Sequence, residues 1–207
     1  RIQNWVGVIG ALEWGDKLVE QLVEAKLVRE PADLYKLKWQ DIAGLDRRGE
    51  KGAKKCLEQL SSRLPITLPV FIAALGMDNF ALQTAKLLIS RGYNTIDKLL
   101  AAKEAELAAV SGLGPTKAAS IVRGLKSREA EIKRLIAAGI VPVTPDEEGP
   151  LAGLSFCFTG SSSRPRAELT QMVESKGGRV LASATKELQY LVLADPNSTS
   201  SKAQKAR

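Results

Sequence analysis

A mainly α-helical chain followed by a small α/β unit is what this sequence predicts, on three observations. Apolar residues recur at i, i+3, i+4 spacing through residues 1–142, as at Leu18, Leu22 and Val23, at Ala85, Leu88 and Ile89, and at Ile121, Val122 and Leu125. The period then changes: residues 154–158 and 189–193 are short β-like runs, and the helical stretch 166–176 between them is closed by Gly177 and Gly178. Separating the two patterns, residues 143–150 hold two prolines, a glycine and three acids, and so have no apolar face to bury. The expected organisation is therefore a helical domain over 1–142, an acidic linker over 143–150 and an α/β domain over 151–207.

Composition narrows the chemistry. Among 207 residues there is no histidine, which excludes Ser-His and Cys-His catalytic pairs, imidazole bases and histidine-containing zinc sites. Cys56 and Cys157 are the two cysteines, far apart and without a C-x-x-C, so neither a disulfide framework nor a four-cysteine zinc site is available, and a reducing compartment is expected. The apolar stretch 64–75 is short and broken by proline, well below the roughly 20 residues of a membrane span, and no signal peptide is recognised. Thirty Lys and Arg against 23 Asp and Glu leave a net charge of +7, which favours a polyanionic partner. That charge divides into +6 over 1–142, −3 over 143–149 and +4 over 150–207.

The helical part repeats itself. At an offset of 65, Gly49 falls on Gly114, Ala53 on Ala118, Leu57 on Val122 and Leu60 on Leu125; at offsets of 65 to 66, Gly15 meets Ala81, Leu22 meets Leu88 and Leu34 meets Leu99. Two helical units of about 65 residues are expected, each with two helix–turn–helix elements. The sharpest turn signal is Ser111-Gly112-Leu113-Gly114-Pro115-Thr116-Lys117. One helix ends at Gly112, Leu113 plugs inward, and the next helix starts after Gly114 with Pro115 at its first position. Paired glycines let the backbone approach a phosphate, the new helix aims free N–H groups at the same spot, and Thr116 and Lys117 add a hydroxyl donor and a point charge.

This pattern resembles the helix-hairpin-helix motif, which holds the DNA backbone without reading bases. Three partial copies accompany it. Residues 45–53 keep Gly49 and Lys51, with Arg47 in place of the first glycine and Arg48 in place of the plug. Residues 13–18 keep the plug, Gly15 and Lys17, with Glu13 at the first glycine position. Residues 74–81 keep Gly76 but have Ala81 where the second glycine is expected. Arg47 and Arg48 can replace a backbone contact with side-chain charge, whereas Glu13 and Asp78 mark the first and third hairpins as partly packing units. Two such pairs would present phosphate-binding turns to both strands across the minor groove, with affinity that depends on salt and hardly on sequence.

The second block runs as strand, Thr159-Gly160, helix, Gly177-Gly178, strand, strand and a helix opened by Ser201-Lys202. This order resembles a BRCT domain with a parallel sheet, and the resemblance implies a phosphate pocket at Thr159, Gly160 and Lys202, where a hydroxyl, a backbone N–H and an ammonium would converge on an anion. Turn formation alone would equally account for Thr159-Gly160, and helix capping for Gly177-Gly178. The chain stops at Arg207, within what the resemblance makes the second helix, and starts at Arg1 without methionine. The expectation is a fragment with a truncated BRCT domain.

Four hairpins followed by BRCT, together with Trp14-Gly15-Asp16-Lys17-Leu18, Ala32-Asp33-Leu34-Tyr35 and Gly49-Glu50-Lys51-Gly52-Ala53, resemble a bacterial-type NAD-dependent DNA ligase over essentially the whole chain. That resemblance implies a cytoplasmic, nucleoid-associated replication and repair enzyme using NAD, magnesium and a zinc finger, with all three sites upstream of this chain. It implies no catalytic residue, cofactor or metal here, since the adenylated lysine of the family lies in a Lys-x-Asp-Gly motif that this sequence lacks. The implied role is to hold nicked duplex while the catalytic domain seals it, with a protein or DNA-end contact through BRCT. The alternatives are a non-enzymatic repair scaffold whose BRCT domain recruits a partner or binds phosphate, a nuclease or polymerase subunit borrowing hairpins, and a helical interaction domain without a nucleic-acid role.

Overall fold

Ten of the helices divide into two series that follow one plan. The computed structural model describes residues 1–45, 49–144, 149–152, 154–160, 162, 164–181, 183 and 188–194. Its chain forms two compact units, Arg1–Pro142 and Val143–Arg207. The first unit holds α1 (Ile2–Val8), α2 (Asp16–Glu24), α3 (Pro31–Leu34), α4 (Trp39–Ala43) and α5 (Glu50–Ser61), then α6 (Leu68–Ala74), α7 (Leu82–Ser90), α8 (Ile96–Ala101), α9 (Glu104–Ala108) and α10 (Gly114–Ala137).

Most of these helices are too short to persist alone, so tertiary burial has to supply their stability. It does so at repeat-related positions: Leu22 and Leu88, Leu34 and Leu99, Ile42 and Leu107, Ala53 and Ala118, and Leu60 and Leu125 are all buried in one core. Helix starts match as well. Asp41 accepts a bond from the Lys38 backbone N–H at 2.7 Å, and 65 residues on Glu106 accepts from that of Lys103 at 3.3 Å. Each carboxylate satisfies an amide that the first turn leaves without a partner.

Where the halves differ, the second is extended. Helix α10 has 24 residues against 12 in α5. Its second half fastens the first repeat: Glu131, only 4% exposed, accepts from Arg1 at 2.7 Å and Arg128 at 3.1 Å, and Arg134 donates to Glu30 at 2.6 Å. A buried carboxylate is tolerable because two guanidiniums face it.

The second unit contains β1 (Ser155–Thr159), α11 (Arg166–Glu174), β2 (Arg179–Val180) and β3 (Tyr190–Leu193). Both β2 and β3 pair parallel with β1, in the order β2-β1-β3. Helix α11 stops at Glu174, two residues before the expected end, and the Gly178 N–H closes it by bonding the Val173 carbonyl at 3.0 Å. A side chain at Gly178 would lie 2.6 Å from Val173, so this glycine is a packing residue. Gly149, expected in the linker, already packs with this unit, against the Lys176 carbonyl. The expected second helix around Lys202 lies outside the described residues.

Two features of the first unit yield tests. Lys26 has φ +59°, while 66 residues on Gly92 fills the corresponding position at φ +95°, each just past a helix whose last carbonyls its neighbours cap. A lysine in the left-handed region bears a steric cost that glycine does not. Lys26→Gly should therefore raise stability by about 1 kcal/mol in urea unfolding. Tyr35 lies between α3 and α1, its phenol oxygen accepting from Trp5 Nε1 at 3.1 Å, and burial pushes the phenol up to about 12. Since an unfolded tyrosine titrates near 10, the folded state binds this proton more tightly; its contribution is intact below about pH 10 and is lost as pH rises toward 12. Between those limits wild type should lose about 2 kcal/mol more than Tyr35→Phe, measured by denaturant unfolding across pH.

Candidate nucleic-acid interface

Four turns join α1 to α2, α4 to α5, α6 to α7 and α9 to α10. In the fourth, Gly112 and Gly114 take φ values of +93° and +69°, with Leu113 buried between them. That backbone path demands the two glycines. It also leaves the first amides of α10 facing outward, with no side-chain cap and no acid in the first turn. Thr116 and Lys117 stand exposed at this end, and neither makes a hydrogen bond or ion pair among the described residues.

The second turn meets α5 at Gly49. This residue is extended, at φ −92°, and a side chain there would meet nothing within 4 Å. Neither conformation nor packing accounts for the glycine, and bare backbone is what a close external approach requires. Lys51 is exposed and unpaired among the described residues. Glu50 pairs with Lys54 at 2.5 Å, and that ammonium also lies 5.4 Å above the Trp39 ring. Arg47 and Arg48 lie outside the described residues.

The first turn has the same open glycine, Gly15, and an exposed Lys17 that is unpaired among the described residues. Its plug, Trp14, is buried and donates from Nε1 to the Cys56 carbonyl at 2.9 Å. Glu13 is bound to Lys55 of α5 at 2.6 Å, and this hydrogen bond holds the Lys55 ammonium above its ordinary range. The third turn is braced in the same way. Asn79 donates to Ser120 Oγ on α10 at 3.1 Å, and Ser120 Oγ donates to the Asp78 carbonyl at 3.3 Å. Glu13 and Asn79 are 66 positions apart and Lys55 and Ser120 are 65 apart, so the same brace is built twice from different chemistry.

Asn79 is the residue that sequence reasoning passed over. It has φ +61°, with Phe80 buried behind it, and so takes the place in the third turn that Gly112 takes in the fourth. Asparagine is among the few side chains that accept this conformation, and its position one before an aromatic plug was the available signal. Gly76, expected at the DNA backbone, has another explanation inside the chain. A side chain there would lie 3.0 Å from Asn4 Nδ2, and Asn4 donates to the Ala74 carbonyl at 2.8 Å to close α6.

In the second unit, Thr159 ends β1 and its carbonyl accepts from the Ala194 N–H at 3.1 Å. Gly160 has φ +91°, and a side chain there would come within 2.8 Å of the Ala194 Cβ. Turn geometry and packing therefore account for Gly160; Lys202 lies outside the described residues. No group of His, Cys, Asp and Glu among the described residues is arranged to hold a metal ion. None of their helices is long and apolar enough to cross a membrane.

Comparison with known proteins agrees with both units. A family model described as a SAM-like helix-hairpin-helix tandem matches residues 82–127, which contain the fourth turn, and one described as the BRCA1 C Terminus (BRCT) domain matches residues 146–207. A DNA ligase of Sorangium cellulosum (strain So ce56) is 71% identical over 207 residues, all of this chain and 31% of that relative. The DNA ligase of Treponema denticola is 35% identical over 212 residues, covering the whole chain and 33% of the relative, and DNA ligase 2 of Deinococcus deserti is 41% identical over 182 residues, 86% of the chain and 26% of the relative. The chain thus spans a quarter to a third of the length of the curated relatives it matches. Similarity of this extent, along both units and in this order, identifies the chain as the helix-hairpin-helix and BRCT portion of a DNA ligase.

Proposed function

We propose that this portion holds duplex DNA by its sugar-phosphate backbone so that the catalytic part of the ligase, outside this chain, can join a 3′-hydroxyl to an adenylated 5′-phosphate at a nick. The observation that carries it is the start of α10, where uncapped amides, Thr116 and Lys117 point outward with no acid in the first turn. Such an end attracts an anion through both its dipole and its free N–H groups. The bare Gly49 beside Lys51 supports a second contact of the same kind, to which Arg47 and Arg48 would add charge. Backbone contacts carry no base information, which suits an enzyme that must act wherever a nick lies. Gly15 and Lys17 rank behind these, because Asp16 and Glu20 crowd the start of α2 with negative charge.

The residues present do not fit the family's cofactors. No Lys-x-Asp-Gly occurs to receive AMP from NAD, and Cys56 and Cys157, in separate units, cannot make a four-cysteine zinc site. Those groups and magnesium belong to the remainder of the protein. Identity to ligases along the whole chain disfavours the alternative of a non-enzymatic scaffold. We place the whole enzyme in the cytoplasm, in replication and repair, with the BRCT domain contacting a protein or a DNA end. A phosphate pocket at Thr159, Gly160 and Lys202 belongs to that proposal.

Two experiments test the grip. Duplex affinity should fall steeply with salt, and Lys51→Met and Lys117→Met should each lower the slope of log K against log salt by about 0.9; a flat slope in wild type would reject backbone binding. Gly49→Leu should weaken binding to intact and nicked duplex while leaving urea unfolding unchanged, because its side chain enters open space. Gly112→Ala should cost about 1–2 kcal/mol of stability as well as affinity, because of its positive φ.

A further inference from the structure

Helix α10 carries the fourth turn at one end and a link to the first repeat at the other. At the offset of 65, Lys126 corresponds to Ser61, where α5 stops, so residues 127–137 extend past the matching helix. Ile132 and Leu135 bury this extension in the common core. Among the described residues, two ion pairs cross from it to the first repeat, and arginine makes each. Arg1, at the start of α1, donates to Glu131 Oε2 at 2.7 Å. The Arg134 guanidinium grips both oxygens of Glu30, at the start of α3, at 2.5 and 2.6 Å. Lys133, next to Arg134, instead pairs within its own helix, with Glu129 at 2.6 Å.

Stability alone does not explain these links. Glu131 is only 4% exposed, and a buried carboxylate bears a desolvation penalty that an apolar side chain of its size would not. Apolar burial, as where Trp5 of α1 meets Phe71 of α6 edge to face at 5.5 Å, is non-directional, whereas an arginine fork on a carboxylate fixes an orientation. Orientation matters because α10 acts as a lever. From Ile132 to Gly114 it spans about 27 Å. A tilt of about 10° relative to the first repeat would shift the fourth turn by about 5 Å, more than the roughly 3.4 Å rise from one phosphate to the next along a strand.

We infer that Glu131 and Arg134 are positioning residues: through Arg1 and Glu30 they set the spacing at which the second and fourth turns are presented to one duplex. The inference rests on the reading that both turns meet the DNA backbone. Two contacts carried on one rigid body reinforce each other only when their separation matches the target. Neither residue has to touch DNA for this. They act through the angle between the repeats, at the far end of the helix that presents the fourth turn.

The test uses the whole chain with Lys51→Cys and Lys117→Cys as spin-label sites, since Cys56 and Cys157 are buried, and reads the distance distribution between the labels without DNA. The otherwise unchanged chain should give one narrow distribution. Glu131→Gln should widen it, as should Arg134→Lys, which keeps the charge but loses the fork. Lys133→Gln, which breaks a pair inside α10, should leave it unchanged. In unlabelled protein, Glu131→Gln should weaken duplex binding about threefold to tenfold, although removing a negative charge would by electrostatics alone tighten it. Arg134→Lys, on an exposed side chain, decides the matter should Glu131→Gln fail to fold. Unchanged widths in both variants, or tighter duplex binding by Glu131→Gln, would overturn the inference while duplex binding by the wild type stands. Absence of salt-dependent duplex binding in the wild type would overturn the inference together with the reading it rests on.

Discussion

The structure depends on one apolar side chain beneath each described hairpin turn. Trp14, Phe80 and Leu113 are buried at equivalent positions of the first, third and fourth turns. Helices of five to twelve residues flank most of these turns, and helices of that length do not hold their shape in water without tertiary support. Burying the plug ties both helices to the common core and points the exposed backbone of the turn away from it. The same residue thus stabilises the fold and orients the amides that an anion would meet. Such burial is worth about 2–3 kcal/mol per large side chain, more than a surface ion pair at the turn could contribute.

Duplication then makes the assembly self-bracing. The first turn is tied to α5 by Glu13 with Lys55 and by Trp14 with Cys56, and the third is tied to α10 by Asn79 with Ser120. In each pair, the helix of the second hairpin steadies the turn of the first. The extended α10 adds Glu131 and Arg134, which fasten Arg1 and Glu30 of the first repeat. Bracing is thereby separated from the turns proposed to bind DNA. The second and fourth turns, whose helices do the bracing, carry Gly49 with Lys51 and Gly112 with Lys117 outward, while Glu13 and Trp14 of the first turn and Asn79 of the third are engaged in internal contacts.

Much of this was legible in the residues. Helical periodicity, the change to β-like runs and the offset near 65 were properties of apolar spacing, and burial reproduces them at Leu22 and Leu88 or Ala53 and Ala118. The parallel sheet around β1 and the closing role of Gly177 and Gly178 followed from the same logic. Less legible were the positions where one residue type serves two purposes. Gly76 read as a phosphate contact because a glycine in a turn looks the same whether a ligand or Asn4 occupies its side-chain space. Asn79 was passed over because an asparagine before an aromatic plug is a weaker sign of left-handed backbone than a glycine. Charge in sequence likewise did not distinguish Lys55, spent on Glu13, from Lys51, which is unpaired among the described residues.

The central claim is that the outward turns of the second and fourth hairpins are the places where the chain meets duplex DNA. Amide hydrogen exchange of the whole chain, with and without a nicked duplex at low salt, tests it most directly. Slowed exchange concentrated at Gly49 to Lys51 and Gly112 to Lys117, with the first turn unchanged, is the predicted result. Slowed exchange confined to the second unit or to α2, with those two turns unaffected, would contradict it.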